Sequence, residues 1–287
     1  MENNKELLNS IDESQVLSLE EMQNEYYKLL IEFDKVCKKY KIRYELGGGS
    51  MLGAVRHGGF IPWDDDIDVL MPRPDYERLI YYFNKGRVTL PERRDILSIK
   101  NNTFIRHYAR YISYDIGRIS EYSGDDDCPF IGIDIFPVDG IYSNNVLSKI
   151  QVKRIRFLRR VLLISLSKKG KSSKGAKVAL LKDIIRPFTK ILGSKRIARH
   201  LEHVCGEVDF RKAKYVGVLT GMYGHKEKWL KEDYLPLEDI KFKDGYFPGY
   251  KNYDIYLSNI YGDYMALPPE DKRIPHLDKG YWINKVD

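Results

Sequence analysis

Residues 44–68 read YELGGGSMLGAVRHGGFIPWDDDID, and the order in which this stretch places glycines, a helix and carboxylates decides the fold. Gly47, Gly48 and Gly49 let the backbone approach an anion closely, and Ser50 is placed to cap the helix that follows. The free N–H groups of that helix favour a phosphate at its start. Read as an extended segment, Asp64, Asp66 and Asp68 alternate with Asp65 and Ile67 and so point to one face. Three carboxylates on one face repel one another unless a divalent cation neutralises them. Val69, Leu70 and Met71 continue the segment as a buried strand, and Pro62 before it with Pro72 and Pro74 after it confine the strand to about residues 64–71. A phosphate cradle beside a carboxylate cluster is the equipment of phosphoryl or nucleotidyl transfer.

A third piece lies downstream in FIGIDIFPVDG, residues 130–140. Ile131, Ile133 and Ile135 mark one face of a strand and leave Asp134 on the other, where it can complete a ligand set with a neighbouring strand. Upstream, Leu19, Met22, Tyr26, Leu29, Leu30, Phe33 and Cys37 recur at helical steps and predict an amphipathic helix over 17–40. Ile42 to Leu46 reads as the first core strand, Asp75 as the cap of a helix through Phe83, and Phe104 to Ile112 as a strand leading toward Asp134. The pattern predicts an α+β fold, a small mixed sheet covered by helices.

The chain has 287 residues, 43% apolar and 31% charged, enough for one large domain with an insertion or for two small ones. Cys37, Cys128 and Cys205 are scattered and odd in number, which argues against a disulfide framework or a paired-cysteine zinc site. The N-terminus has no apolar signal core and no stretch approaches the ~20 apolar residues of a membrane span, so a cytoplasmic protein is expected. Residues 149–199 hold 17 Lys and Arg against the single acid Asp183, leaving 31 basic and 40 acidic residues elsewhere. Apolar residues and cations recur there at helical spacing on both sides of SKKGKSSKGAK, residues 167–177, which predicts an αα-hairpin with a flexible cationic tip. Such an imbalance costs self-repulsion that an anionic membrane leaflet or a polyanionic glycan would offset. Nucleic acid is disfavoured, because the stretch lacks interleaved aromatics and any recognition module. The last seventy residues are rich in tyrosine, Tyr246, Tyr250, Tyr253, Tyr256, Tyr261 and Tyr264 among them. Core packing explains most such rings, and an aromatic pocket for a quaternary ammonium group is the functional alternative.

GGGSMLGAVRHGGFIPWDDDIDVLMPRPDYERL, GIDIFPVDG and the late YLSNIYGDYMALPPEDKRIPH resemble the LicD family of bacterial phosphotransferases, which shares the nucleotidyltransferase fold and has fukutin-type proteins among its distant relatives. The resemblance covers most of residues 20–140 and 215–277, with no matching motif over about 141–214. It implies a catalytic core over 1–140, a basic helical insertion over 141–214 and an aromatic-rich segment over 215–287 that completes the catalytic domain. By resemblance, the turn of Gly48, Gly49 and Ser50 binds nucleotide phosphates, Asp66 and Asp68 hold Mg²⁺ or Mn²⁺, and Asp134 completes the triad as ligand or base. Asp139 stands as the alternative base. Arg56, His57, Arg106, Arg110, Arg273 and His276 are the cations expected to approach a pyrophosphate. The implied reaction moves phosphocholine, or another phospho-alcohol, from CDP-choline or a related CDP-alcohol to a sugar hydroxyl of a teichoic acid or other surface glycan. A lipid-linked acceptor would place the protein peripherally at the inner face of the membrane, held by its basic insertion. The competing expectations are a nucleotidyltransferase that makes the activated compound and a non-catalytic glycan- or membrane-binding protein.

Overall fold

The computed structural model describes residues 15–119, 128–170, 175–273 and 279–283. Helix α1 (Leu19–Tyr40) opens on a reciprocal cap, in which Ser18 Oγ accepts from the Glu21 N–H and the Glu21 carboxylate accepts from the Ser18 N–H. Its predicted stripe of Met22, Tyr26, Leu29, Leu30, Phe33 and Cys37 is buried. Phe33 packs against Tyr44 and Tyr111 at ring-centroid distances of 5.1 and 5.5 Å.

Strand β1 is only Glu45–Leu46, and helix α2 (Gly48–His57) follows directly. Strand β2 (Asp68–Pro72) begins at Asp68 rather than near residue 64. The reason lies in the backbone bonds upstream. The Asp64 N–H donates to Ile61 O at 2.9 Å, and Gln23 Nε2 donates to Asp64 O at 2.8 Å, so these groups are taken by a turn and a side chain instead of a ladder. Helix α3 (Arg73–Asn84) has Pro72 as its N-cap and Pro74 in its first turn, so Asp75 is not needed as a cap. Its carboxylate instead accepts from the Arg43 side chain at 2.7 and 2.9 Å.

Strands β3 (Arg94–Leu97), β4 (Ala109–Ile119) and β5 (Phe130–Ile141) build the sheet centre. The strand expected from Phe104 begins five residues later, because Thr103 and Phe104 N–H both turn back to Ser98 O. The basic segment folds as the expected pair of packed helices, α4 (Asn145–Leu166) and α5 (Ala176–Leu192), followed by a third that the pattern did not predict, α6 (Ser194–Cys205). Gly193, at φ 80°, breaks the chain between the last two and lets α6 lay Ile197, Leu201 and Val204 against Val152, Ile155 and Leu162 of α4. Residues 171–174 of the expected tip lie outside the described residues.

The chain then returns to the sheet through β6 (Tyr215–Gly217), β7 (Trp229–Leu230) and the short α7 (Lys231–Tyr234). A separate hairpin, β8 (Leu237–Phe242) and β9 (Gly245–Tyr250), precedes α8 (Tyr253–Tyr261) and β10 (Lys279–Trp282). The main sheet runs β1-β2-β5-β4-β10, with β3 also on β4 and with β6 joining β5 to β7. Among the described strands β2 and β5 are the one parallel pair, and their register sets Asp68 beside Asp134. The architecture is the expected α+β one, a mixed sheet with helices and a basic helical insertion.

A buried ion network ties that insertion to the sheet. Arg73 at the start of α3 donates Nε and Nη2 to the Asp139 carboxylate of β5, at 2.5 and 2.9 Å, and Nη1 to Glu202 of α6. All three residues are buried. Removing one partner leaves the others charged and unpaired, which costs about 3–5 kcal/mol in such settings. Arg73→Ala is therefore expected to lower the unfolding free energy by about that much in urea denaturation. A loss under about 1 kcal/mol would mean the network does not hold the insertion in place.

Candidate active site

The glycine turn docks on β2 through its backbone. The Gly47 N–H donates to Asp68 O at 3.0 Å, and the Asp68 N–H donates to Ser50 Oγ at 2.9 Å. Ser50 is thus not the cap of α2, whose N-cap is Gly47; its hydroxyl is spent on holding Asp68 in place. The Gly48 N–H donates to the Tyr256 hydroxyl at 2.8 Å. Glycine suits these two positions for different reasons. Gly48 sits at φ +49°, and a Cβ at position 49 would lie 2.8 Å from Asp64 Oδ2.

That second distance brings the turn and the acidic run together. Carboxylate oxygens of Asp64, Asp65 and Asp66 lie within 4.8 Å of one another in the loop before β2. Of the three acids expected to share a strand face, only Asp68 is on the strand; Asp64 and Asp66 lie in the loop before it and cluster there with Asp65. Asp68 is pushed well above the usual carboxylate range, first by burial and then by the charges of Asp66, Asp134 and Asp64, with Arg110 opposing. An all-carboxylate donor set of this density fits a hard divalent cation.

Asp134 carries a partner that its strand position alone does not reveal. Arg110, opposite it on β4, donates Nε and Nη2 to the two carboxylate oxygens, the latter at 3.0 Å. Arg110 is buried among Phe104 and Tyr108, and its Nη1 has no hydrogen-bond partner among the described residues. Asp139 is five residues further along β5, roughly 16 Å away at strand rise, and is committed to Arg73. That separates it from the carboxylate group around Asp68, beside which Asp134 stands in register.

Tyrosines from the C-terminal segment cover the turn. A Cβ at Gly48 would lie 3.9 Å from the Tyr261 hydroxyl, and the Tyr261 ring meets that of Tyr223 at 5.4 Å. Tyr256 packs on Tyr250 at 4.5 Å and on Trp229 at 5.1 Å. Trp229, Tyr250 and Tyr256, with Tyr215, Lys228 and Tyr234, line a cavity of about 180 Å³, where Lys228 Nζ stands 4.1 Å from the centre of the Tyr215 ring. Two buried acids lie among the aromatics, and neither shows a sequence signal. Glu45 accepts from the Tyr234 and Tyr250 hydroxyls and is raised to about 8 by burial. Glu227 accepts from the Tyr223 N–H at 2.9 Å and is raised by burial to about 7.

The other predicted cations make contacts of their own. Arg56 and His57 close the far end of α2, about 12 Å along the helix from Gly48. Arg56 Nη1 donates to Tyr264 O at 2.9 Å and Ala266 O at 3.2 Å. His57 faces the Trp63 ring, and the Arg273 guanidinium lies 5.8 Å from the centre of that same ring. Arg56, His57 and Arg273 therefore form one group joining the 57–63 loop to the C-terminal segment. His276 lies outside the described residues. Arg106 is buried against the Phe104 ring.

Comparison with known proteins agrees with this geometry. The family profile described as LicD/FKTN/FKRP, nucleotidyltransferase domain, matches residues 41–154. The lipopolysaccharide cholinephosphotransferase LicD of Haemophilus influenzae is 30% identical over 269 residues, spanning 91% of this chain and 96% of that protein. The ribitol 5-phosphate transferase FKRP of Homo sapiens is 64% identical over 28 residues, 10% of this chain and 6% of that one. An uncharacterized protein of Rickettsia typhi is 41% identical over 59 residues, 21% of this chain and 17% of that one.

The crowding around Asp68 has a signed consequence for the metal-free protein. Because the folded-state pKa is raised, the stability linked to this carboxyl is fully present below its ordinary value, ~3.9, and is lost as pH rises toward the folded value. Asp68→Asn removes the titrating charge. In chelator, the variant should melt higher than the parent, by a margin that grows as pH rises above about 4. A margin that stays flat with pH would show that the carboxylates do not strain the fold.

Proposed function

The chain belongs to the LicD family, and on that premise we propose that it is a metal-dependent phosphotransferase moving phosphocholine, or a related phospho-alcohol, from a CDP-linked donor to a sugar hydroxyl. The observation that carries the reading is the side-by-side register of Asp68 and Asp134, with Asp64 and Asp66 converging on Asp68 below the glycine turn. The H. influenzae relative supports choline as the headgroup and a surface glycan as the acceptor class, of which teichoic acid is one.

Asp66, Asp68 and Asp134 would hold Mg²⁺ or Mn²⁺, which when bound supplies charge neutralisation at the pyrophosphate and at the leaving CMP. The remaining work falls to the protein. The start of α2 offers a close backbone approach for the nucleotide phosphates at Gly49 and Ser50, beside the Gly48 N–H that Tyr256 takes. Arg110 Nη1 is a buried donor for a non-bridging phosphate oxygen. Arg110 also holds Asp134 in position, so that Asp134 can take the proton of the attacking sugar hydroxyl. The hydroxyl oxygen bonds to the phosphorus that carries the choline, the bond to the CMP oxygen breaks, and CMP leaves with the electron pair. Tyr223 and Tyr261, beside the Gly48–Asp68 junction, offer ring faces to the trimethylammonium group. Arg56, His57 and Arg273 are proposed as a second phosphate clamp, closing on the donor from the end of α2. The basic segment is proposed to rest on an anionic leaflet at the cytoplasmic side, where a lipid-linked glycan would be presented.

The direct test is a panel of CDP-choline, CDP-ethanolamine, CDP-glycerol and CDP-ribitol with Mg²⁺ or Mn²⁺, followed by CMP release with and without a sugar acceptor. Acceptor-dependent CMP release with CDP-choline is expected, and Asp134→Asn should reduce it by at least about 10²-fold. Formation of CDP-choline from CTP and phosphocholine instead would favour a nucleotidyltransferase. Tyr261→Leu should cost the choline donor about 1 kcal/mol more in transition-state binding than the glycerol donor. Equal losses for both donors would remove the aromatic headgroup contact from the account.

A further inference from the structure

Helix α5 carries its apolar side outward. Leu180, Leu181, Ile184, Phe188, Ile191 and Leu192 are all exposed, Phe188 by 68% and Ile191 by 81%. At about 100° per residue they fall within an arc of roughly 120°. The helix touches the protein through its other side, where Ala179 and Thr189 are buried. An apolar stripe of this length is rarely left in water by a soluble domain.

Its electrostatic setting decides what covers it. Lys177, Lys182, Arg186 and Lys190 lie on the same helix, and Lys195, Arg196 and Arg199 follow on α6. The single acid of α5, Asp183, is turned back toward the preceding loop, where its carboxylate accepts from the Gly170 N–H at 2.8 Å. A second copy of the chain would bring the same dense positive charge against this surface. A polyanionic glycan would match the charge and leave the apolar stripe wet. An anionic bilayer supplies both partners at once, acyl chains for the stripe and phosphates for Lys177 at its start, for Lys182 and Lys190 beyond its two edges and for the cations of α6, while Arg186 lies on the opposite side. The helix has 17 residues and a proline at 187, and no helix of the described residues is long and apolar enough to cross a membrane, so it would lie in the interface.

We propose that α5 is an interfacial membrane helix whose Leu180–Leu192 face inserts at the headgroup boundary of an anionic leaflet. The inference rests on the membrane-facing reading of the basic segment and not on the reaction assigned to the carboxylates. It goes beyond electrostatic adsorption, because insertion places side chains among the acyl chains.

The test uses the full chain with Phe188→Trp, mixed with phosphatidylcholine vesicles with and without phosphatidylglycerol, including lipid brominated on the acyl chain. With anionic vesicles the fluorescence of the introduced indole, taken over the parent's own tryptophans, should shift to the blue and be quenched by the brominated lipid. Ile184→Asp combined with Ile191→Asp should weaken vesicle partitioning by at least about tenfold. The same double variant should retain full CMP release with a short soluble acceptor, which also shows that it is folded. Vesicle binding without quenching would leave only surface adsorption and overturn the inference. Self-association in sedimentation that Ile184→Asp abolishes would overturn it as well, by assigning the face to a second copy. Insertion in a protein inactive on every donor would instead uphold the helix and sink the reaction.

Discussion

Two carboxylates forced into register on adjacent parallel strands are the constraint on which the rest of this structure depends. Asp68 and Asp134 are neighbours because β2 and β5 pair in parallel, and the acidic loop adds Asp64 and Asp66 to the same neighbourhood. Hydrophobic burial offsets the repulsion, since Val69, Met71, Ile133 and Ile135 behind these acids are completely buried. Arg110 offsets more of it by clasping Asp134. The result is an all-oxygen group of the kind that fits a hard divalent cation.

The surrounding elements serve the same group of acids. Ser50 and Gly47 use their hydrogen bonds on Asp68, so the start of α2 is fixed to the strand that carries the acid. Tyr256 reaches across from the C-terminal segment to the Gly48 N–H, more than two hundred residues away in sequence. The basic insertion is anchored at a distance from all this, through Arg73, Asp139 and Glu202. Part of its charge still reaches the tyrosine-lined side of the site, where Arg159 of α4 acts on Tyr108 and Glu227.

Much of this was legible in the sequence, and the failures have physical causes. Period-two alternation found β5 and put Asp134 on its polar face, and helical periodicity found the buried stripe of α1. The same alternation misled at Asp64 and Asp66, because it does not report that Gln23 and Ile61 take the backbone bonds a strand would need. Ser50 and Asp75 have the composition of helix caps, yet tertiary partners, Asp68 and Arg43, claim them. Glu45 and Glu227 carry no local signal at all, since only long-range packing buries them among tyrosines. The apolar stripe of α5 was visible as a period, while which side of it meets the protein is decided by neighbours the period does not contain.

The central claim is that these carboxylates form one metal site. Titration of Mn²⁺ followed by electron paramagnetic resonance tests it without reference to any donor or acceptor. The account predicts saturable binding by the parent protein that weakens by at least about tenfold in both Asp68→Asn and Asp134→Asn. Binding of Mn²⁺ that survives both substitutions unchanged would contradict it.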